Sequence, residues 1–236
     1  MNSHKRVLLK LSGEQLANKQ GTGIDPEFVD WLASEIKKVT EAGIQLVIVV
    51  GGGNFLRGAT FAGGGIERST ADYMGMMATI INGMALVDMI EAHGQPTRLQ
   101  TNLRIQQVAE PFIRRRALRH LEKGRVVIIG GGIGKPYLTT DTAATSIALE
   151  LDCDVILKAT KVDGIYDKDP HKFDNARKLH SLTFQQAVES DAIKVMDKAA
   201  LGLAMEQNMS IVVFDLMQDG NILKAANGEK IGTKVS

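Results

Sequence analysis

The stretch that decides the fold runs from Arg125 to Ala144 and reads RVVIIGGGIGKPYLTTDTAA. Its first part, Val126 to Ile129, is an unbroken run of β-branched residues, which is typical of a strand buried on both faces of a parallel sheet. Glycines follow at once, and Thr139-Thr140-Asp141 then opens an alanine-rich helix. This order predicts a strand, a glycine loop and a helix N-terminus, where N–H groups and the helix dipole favour an anion. An ordinary tight turn would give the same pattern, so this stretch alone leaves phosphate binding open.

Two common phosphate-binding motifs are excluded by spacing. A P-loop needs Gly, four residues and then Gly-Lys-Ser/Thr. Gly134-Lys135 is present, but Ile129 stands five positions before Gly134 and Pro136 follows the lysine. The dinucleotide motif G-x-G-x-x-G lacks its third glycine from either possible start. A phosphate site here therefore belongs to a different fold.

The composition is that of an ordinary α/β protein. The chain has 236 residues, of which 44% are hydrophobic and 23% charged, and its net charge of +1 favours neither a nucleic-acid partner nor a membrane surface. The single cysteine, Cys153, excludes a disulfide within the chain and fits a reducing compartment. We find no signal peptide and no segment that we expect to be long enough to span a bilayer, so a cytoplasmic location is expected.

Two further strand ends carry glycine and a cation. Lys10 interrupts the first apolar run just before Ser12-Gly13, either as a lysine snorkelling from an edge strand or as a point charge aimed at phosphate. The second strand, Ile44 to Val50, runs into Gly51-Gly52-Gly53-Asn54, and Arg57 follows. An arginine there would either cap a surface loop or fork onto phosphate oxygens.

The helices show clear starts and faces. Asp25-Pro26-Glu27 predicts a helix start with an aspartate cap. Ser69 or Thr70 is expected to cap a long helix whose methionine-rich stripe fits the core, a subunit interface or, less well, a ligand contact. A basic helix is expected from Ala109 to Gly124, either as a solvated face or as a site for a small anionic effector.

The segment from 158 to 170 follows another predicted strand, Val155 to Leu157, and is dense in Asp, Lys and Gly. It fits a plain surface hairpin, and it equally fits a holder for a nucleotide, with Tyr166 against the base and Asp169 on a ribose hydroxyl. Strands and helices alternate almost throughout, which predicts an α/β fold with a mainly parallel sheet. Ligands of such folds bind at the carboxyl ends of the strands, where these loops lie.

Taken together, these segments resemble the bacterial UMP kinases (uridylate kinases) of the amino acid kinase superfamily, from about residue 5 to 234. The segments that carry the resemblance are KLSGE (10–14), VVGGGNFLRG (49–58), ADYMGMMAT (71–79), RRALRHLEKGRVV (115–127), LKATKVDGIYDKDP (157–170) and KVMDKAA (194–200). The resemblance implies a three-layer αβα sandwich and a single domain over 1–236. Its acceptor-binding part would be mainly N-terminal and its ATP-binding part mainly C-terminal.

The resemblance also implies which residues bind the substrates. The positions that match ATP contacts are Lys10, Leu11, Ser12, Gly13, Gly53, Arg57, Thr160, Tyr166 and Asp169. The positions that match UMP contacts are Gly52, Asp72, Ile133, Gly134, Lys135, Pro136, Tyr137, Leu138, Thr139 and Thr140. The family commonly reads G-T-G-N-P-[FY]-F-[ST]-T-D in the last segment, and this chain departs from that pattern at Ile133, Lys135 and Leu138.

The reaction implied is ATP + UMP → ADP + UDP, in pyrimidine nucleotide biosynthesis. The acceptor phosphate is largely dianionic at neutral pH, so it needs positioning and charge neutralisation and no general base. Lys10 and Arg57 are expected to clamp the transferring phosphoryl group, and Asp141 to orient Lys10 or the water shell of Mg²⁺. Lys158 or Lys161 is expected to supply a second cation. Mg²⁺ is expected to arrive with ATP, without a dedicated protein cage.

The family further implies a homohexamer built from dimers through the methionine-bearing helix, activation by GTP and inhibition by UTP. The basic residues 114–125 are the candidate effector surface, and no nucleic-acid or membrane partner is expected. Two alternatives stay open at this point. One is a superfamily kinase that acts on a carboxylate or carbamate, and the other is a non-catalytic pyrimidine-nucleotide sensor.

Overall fold

The computed structural model describes residues 4–56, 65–168, 170, 172–173, 175–190, 193 and 195–236. Two of the predicted site residues, Arg57 and Asp169, lie outside the described residues. The strands are β1 (Arg6–Leu11), β2 (Gln45–Val50), β3 (Thr97–Thr101), β4 (Glu110–Pro111), β5 (Val126–Gly130), β6 (Val155–Thr160), β7 (Ile165–Tyr166), β8 (Lys178–Leu179), β9 (Ser181–Leu182), β10 (Ile211–Asp215) and β11 (Thr233–Val235). The helices are α1 (Gly13–Leu16), α2 (Pro26–Glu41), α3 (Arg68–Ala92), α4 (Arg114–Glu122), α5 (Thr140–Glu150), α6 (Phe184–Glu189), α7 (Lys198–Glu206) and α8 (Asn221–Ala226).

The described strands form a sheet in the order β4-β3-β5-β2-β1-β6-β10-β11-β9, and β7 pairs separately with β8. Every neighbouring pair in the large sheet is parallel except β10 with β11. β1 lies at the centre, between β2 and β6. The carboxyl ends of these strands therefore meet at one edge, which is where ligands of such sheets bind.

Helices cover both faces of the sheet, because side chains alternate along each strand. On β1, Val7 and Leu9 belong to a core shared with α2, α3 and α8. Leu8 belongs to a second core shared with α4, α5, α6 and α7. Two apolar layers around one sheet make a three-layer αβα sandwich, as predicted.

Two predicted helix starts, those of α2 and α5, are confirmed, and two are wrong. Asp25 caps α2 by accepting hydrogen bonds from the next turn's backbone. α3 begins at Arg68, before the expected caps Ser69 and Thr70, which lie inside its first turn. α4 begins only at Arg114, because residues 110 and 111 pair with β3 as strand β4, and a proline at 111 is disfavoured inside a helix.

The expectation that no segment is long enough to span a bilayer is also wrong, because one helix has the required length. Among the described residues, α3 alone has the length and apolar composition to do so, with 25 residues and a hydropathy of 1.4 over its most apolar window. The same test is passed by core helices of soluble domains, and α3 packs one side on α2 and on strands β3 and β5. Its Leu86 and Ile90 are fully buried in that core.

Candidate functional site

A charged centre lies at the carboxyl ends of β1 and β6. Lys10 is the register partner of Lys158 on the neighbouring parallel strand, so both side chains leave the same face of the sheet. Asp141, in the first turn of α5, packs on that face between them. Its Oδ1 lies 2.5 Å from Nζ of Lys10, and its Oδ2 lies 3.1 Å from Nζ of Lys158. We call Lys10, Asp141 and Lys158 the lysine–aspartate centre.

Lys10 is buried and the side chains of Asp141 and Lys158 are 15% and 17% exposed, so both burial and charge shift the pKa values of the last two. Burial raises the pKa of the Asp141 carboxyl, but the ammonium groups of Lys10 and Lys158 outweigh burial and hold the pKa below its usual value. Burial lowers the pKa of Lys158, and Lys10 lowers it further, while Asp141 offsets only part of the effect. The centre therefore places two lysines around one carboxylate, and the one excess positive charge would attract an anion.

Two glycine turns close against each other beside this centre. A Cβ on Gly13 would lie 2.5 Å from the backbone nitrogen of Gly53 and 2.8 Å from the carbonyl oxygen of Gly51. Only glycine fits such an approach without a shift of the backbone. The turn after β2 is held by a reciprocal amide pair between Asn54 and Asn82, with N–O distances of 2.8 and 2.9 Å. The KLSG and GGGN turns thus form one rigid wall.

A cavity of about 240 Å³ lies next to the glycine wall, between the start of α3 and the loop before α5. Six of the ten residues predicted for UMP line it: Gly52, Asp72, Ile133, Leu138, Thr139 and Thr140. The others in that prediction, Gly134 to Tyr137, lie along the same loop but do not line the cavity. Two of the substituted positions, Ile133 and Leu138, therefore face the cavity, whereas the third, Lys135, is exposed outside it.

The loop over this cavity is fastened to α3. The backbone N–H of Tyr137 donates to a carboxylate oxygen of Asp72 at 2.8 Å, and the Arg68 guanidinium donates to the same carboxylate. Tyr137 has φ of +68°, an uncommon conformation for a residue with a side chain. The Arg68 guanidinium also lies 5.6 Å from the centre of the Tyr137 ring, within the range of a cation–π contact. Asp72 is thus joined to the loop before α5.

The predicted ATP contacts beyond β6 lie on the other side of the centre. The Thr160 hydroxyl lies 2.6 Å and 3.0 Å from the carbonyl oxygens of Val162 and Phe214, which ties the ends of β6 and β10 together. The Tyr166 hydroxyl donates to Asp163 at 2.7 Å, and this bond raises the pKa of Tyr166 and lowers that of Asp163. Asp163 lines a cavity of about 350 Å³ together with residues of β10 and of the loop before β11.

A third cavity, of about 390 Å³, opens directly on the lysine–aspartate centre. Asp141 and Lys158 form one wall, and Asp197 with the start of α7 forms another. In the described part of the chain, no group of three or more His, Cys, Asp or Glu side chains is arranged to hold a metal ion.

The sequence reasoning identified some of these residues and missed others. Lys158 is in contact with Asp141, whereas Lys161 is exposed beyond the end of β6. Thr79, which accepts a hydrogen bond from the Gly131 N–H at 2.7 Å, and Asn82 were missed, although both lie on the buried face of α3. Asp197 lies in the segment KVMDKAA, and the sequence predicts no role for it by itself.

A mainly parallel sheet with two converging lysines, paired glycine turns and a helix N-terminus at one edge defines an α/β protein built to bind phosphorylated ligands.

The amino acid kinase family model matches residues 5–215 of the chain. The structure of UMP kinase from Bacillus anthracis has a TM-score of 0.95 and 38% identity, over 100% of this chain and 97% of that one. UMP kinase from Ureaplasma parvum has a TM-score of 0.92 and 34% identity, over 100% of both chains. Uridylate kinase from Archaeoglobus fulgidus has a TM-score of 0.76 and 30% identity, over 98% of this chain and 99% of that one.

The chain belongs to the amino acid kinase family. The resemblance drawn from the six motif segments is confirmed, and so is the fold class.

Proposed function

We propose that this protein transfers the γ-phosphoryl group of MgATP to the phosphate of UMP, giving ADP and UDP. The observation that carries the proposal is the convergence of Lys10 and Lys158 on Asp141 beside the cavity that Asp72 and Thr140 line. The similarity to UMP kinases along the whole chain supports the choice of acceptor. No other acceptor class has a specific observation in its favour.

The chemistry follows from charge and position. The acceptor phosphate is already a nucleophile, so the protein must bring two anionic groups together in line. Lys10 and Lys158 would neutralise the oxygens of the transferring phosphoryl group, and Asp141 would fix both ammonium groups in place. Backbone N–H groups of the two glycine turns would hold the remaining phosphates, because Gly13 and Gly53 allow close approach.

The acceptor would occupy the cavity of about 240 Å³. The positive end of the α5 helix dipole, at Thr139 and Thr140, would attract an anion in this cavity, and Asp72 offers a carboxylate to hydroxyl or N–H donors of the nucleoside. Ile133 and Leu138 supply apolar contact there. Arg57 remains a proposed phosphate ligand that lies outside the described residues.

Mg²⁺ would enter with ATP and supply charge neutralisation between its phosphates. The residues present fit a cation held by phosphate and water, because both carboxylate oxygens of Asp141 are already paired with lysines. Thr160, Tyr166 and Asp163 would hold the nucleoside part of ATP through the loops after β6, with Asp169 proposed from sequence alone. Under this proposal the N-terminal part binds mainly the acceptor and the C-terminal part mainly ATP.

The same proposal includes a homohexamer built from dimers through α3. Four apolar side chains on one side of that helix, at spacings of four, four and three residues, are 42–46% exposed: Tyr73, Met77, Ile81 and Met84. A continuous exposed apolar stripe of this kind is typical of a subunit interface. Gel filtration at the monomer mass would contradict the hexamer.

Regulation by GTP and UTP, a cytoplasmic location and a role in pyrimidine nucleotide biosynthesis complete the proposal. The basic surface around α4 remains the proposed effector surface. Part of it is already engaged, since Arg114 pairs with Asp152 at 2.5 Å and Arg125 contacts His120 at 3.0 Å. Exposed Arg115 and Arg116 would carry most of the attraction for a nucleotide.

The test is a coupled ADP-release assay with MgATP and a panel of acceptors: UMP, CMP, dTMP, acetylglutamate, aspartate and carbamate. Turnover confined largely to UMP is expected. Turnover with acetylglutamate, aspartate or carbamate instead would support the proposed ATP site but show that UMP is not the acceptor. Binding of UMP and ATP without any turnover would replace the enzyme with a nucleotide sensor.

A further inference from the structure

Asp197 makes more hydrogen bonds than its place before α7 requires. As the N-cap of α7, its Oδ1 accepts from the N–H of Ala200 at 2.8 Å. The same carboxylate accepts from the Thr142 hydroxyl at 3.1 and 3.2 Å, and from the Thr139 hydroxyl. Capping α7 needs only one of these bonds. The others tie Asp197 to a different helix, since Thr139 is itself the cap of α5.

The two segments that Asp197 joins belong to different parts of the site. Thr139 lines the acceptor cavity. Asp197 lines the cavity on the lysine–aspartate centre. Two residues before Asp197, the carbonyl oxygen of Val195 accepts a hydrogen bond from Nζ of Lys158. One carboxylate therefore links the acceptor loop to the segment that holds the second lysine.

We propose that Asp197 is a positioning residue that fixes the acceptor loop, through Thr139, against the segment that orients Lys158. This inference rests on the proposed function of the site. With both oxygens of Asp197 bonded, the start of α5 and the start of α7 are held at one separation. Phosphoryl transfer needs the acceptor and the phosphoryl group at near-contact distance, so a change in that separation lowers the rate.

The negative charge of Asp197 also favours the charged form of Lys158. The charged groups that face Lys158 are Lys10 from β1, Asp141 from α5 and Asp197 from the start of α7. Burial lowers the pKa of Lys158, and the two carboxylates raise it. Removing the charge of Asp197 therefore moves the deprotonation of Lys158 to lower pH.

The test variant is Asp197→Asn, because asparagine caps a helix about as well as aspartate and the fold should persist. Asparagine offers one acceptor oxygen in place of two, so it cannot serve both Ala200 and Thr139 in the same way. We expect kcat with MgATP and UMP to fall on the order of 10- to 100-fold. We also expect the alkaline limb of the kcat–pH profile to move to lower pH. A change in kcat alone, with an unmoved alkaline limb, would remove the role assigned to the charge.

The matched control is Asp25→Asn, since Asp25 caps α2 through the N–H groups of Glu27 and Phe28 and lies outside the site. This control should keep wild-type kcat and pH profile. Equal losses in the two variants, or wild-type kinetics in Asp197→Asn, would overturn the inference.

A readout independent of turnover separates this inference from the proposed function. The amides of Asp141 and Thr142 donate to Thr139 in the first turn of α5. They should exchange hydrogen faster in Asp197→Asn than in the wild type, and at the wild-type rate in Asp25→Asn. If the wild type fails to phosphorylate UMP, the proposed function fails, and this exchange experiment still decides whether Asp197 fixes α5. Unchanged exchange would refute that part directly.

Discussion

Replacing Lys10 with methionine tests the lysine–aspartate centre most directly. Lys10 is 7% exposed, and its ammonium lies 2.5 Å from Asp141. Methionine retains much of the apolar stem that lines the buried strand end, but it removes the charge. With both lysines the three side chains carry two positive charges and one negative, a net of +1; without Lys10 the net is 0.

The expected loss can be estimated from electrostatic catalysis. Removing one group that stabilises developing charge costs about 10²–10³ in kcat, or roughly 2.7–4 kcal/mol of transition-state stabilisation. Folding should suffer less, because Asp141 keeps Lys158 as a partner at 3.1 Å. We therefore expect the free energy of unfolding to change by less than the roughly 3–5 kcal/mol that an unpaired buried charge costs.

The assay is steady-state ADP release with saturating MgATP and varied UMP, alongside denaturant unfolding of each variant. The matched control is Lys161→Met, which removes an exposed lysine just beyond the same strand edge and should leave kcat within about twofold of the wild type, as surface changes usually do. If Lys10→Met also retained kcat within a few-fold, the assignment of Lys10 to the phosphoryl group would be wrong. If Lys10→Met were also largely unfolded under the assay conditions, the loss of kcat would reflect unfolding and not the loss of a catalytic charge.

Three further predictions concern packing, assembly and acid stability. Gly13→Ala should destabilise the fold by about 1–3 kcal/mol, because its Cβ would lie 2.5 Å from a backbone nitrogen; Gly202→Ala, in open space on α7, should be neutral or stabilising by urea denaturation. Met77→Glu should lower the sedimentation coefficient, because a charge on the exposed stripe of α3 would separate the subunits. Met205→Glu, on an equally exposed methionine of α7, should leave the sedimentation coefficient unchanged. An unchanged coefficient in Met77→Glu would show that α3 does not form the interface. The folded-state pKa of Asp141 is lowered, so its stabilisation is complete above the unfolded pKa of about 4 and is lost as pH falls through the folded value. Asp141→Asn should therefore flatten the acid limb of a stability–pH curve, and a limb as steep as in the wild type would contradict this.

The parts of the fold that could be predicted from sequence are those with local signals. The apolar runs of β1, β2, β5 and β6 identify buried strands without reference to the rest of the chain. Asp25-Pro26 marks the start of α2 in the same local way. The predicted start of α4 at Ala109 is too early, because Glu110 and Pro111 pair with residues 100 and 101 of β3, which no local pattern reveals.

The loop before α5 also combines features that the sequence predicts with features that depend on distant residues. Its glycines and the capping Thr139 are visible in the sequence, and the structure places six of the ten predicted residues around one cavity. Its attachment to Asp72 through the backbone of Tyr137, and to Asp197 through the Thr139 hydroxyl, spans distant parts of the chain. Such bonds form only after the helices have packed, so residue type and spacing could not predict them.

The choice between Lys158 and Lys161 was within reach of sequence reasoning. Side chains on a strand alternate, so Lys158 shares a face with Ile156, which packs against α5 and α7. Lys161 follows the last residue of β6 and has no fixed face. The pairing of Lys158 with Lys10, however, depends on the register of β6 against β1. A slip of one residue would turn the side chain at 158 towards the opposite core and leave Lys10 without its neighbour. The buried aliphatic residues that fix this register therefore also position the two cations, which is why the lysine–aspartate centre needs the whole sheet and not only its loops.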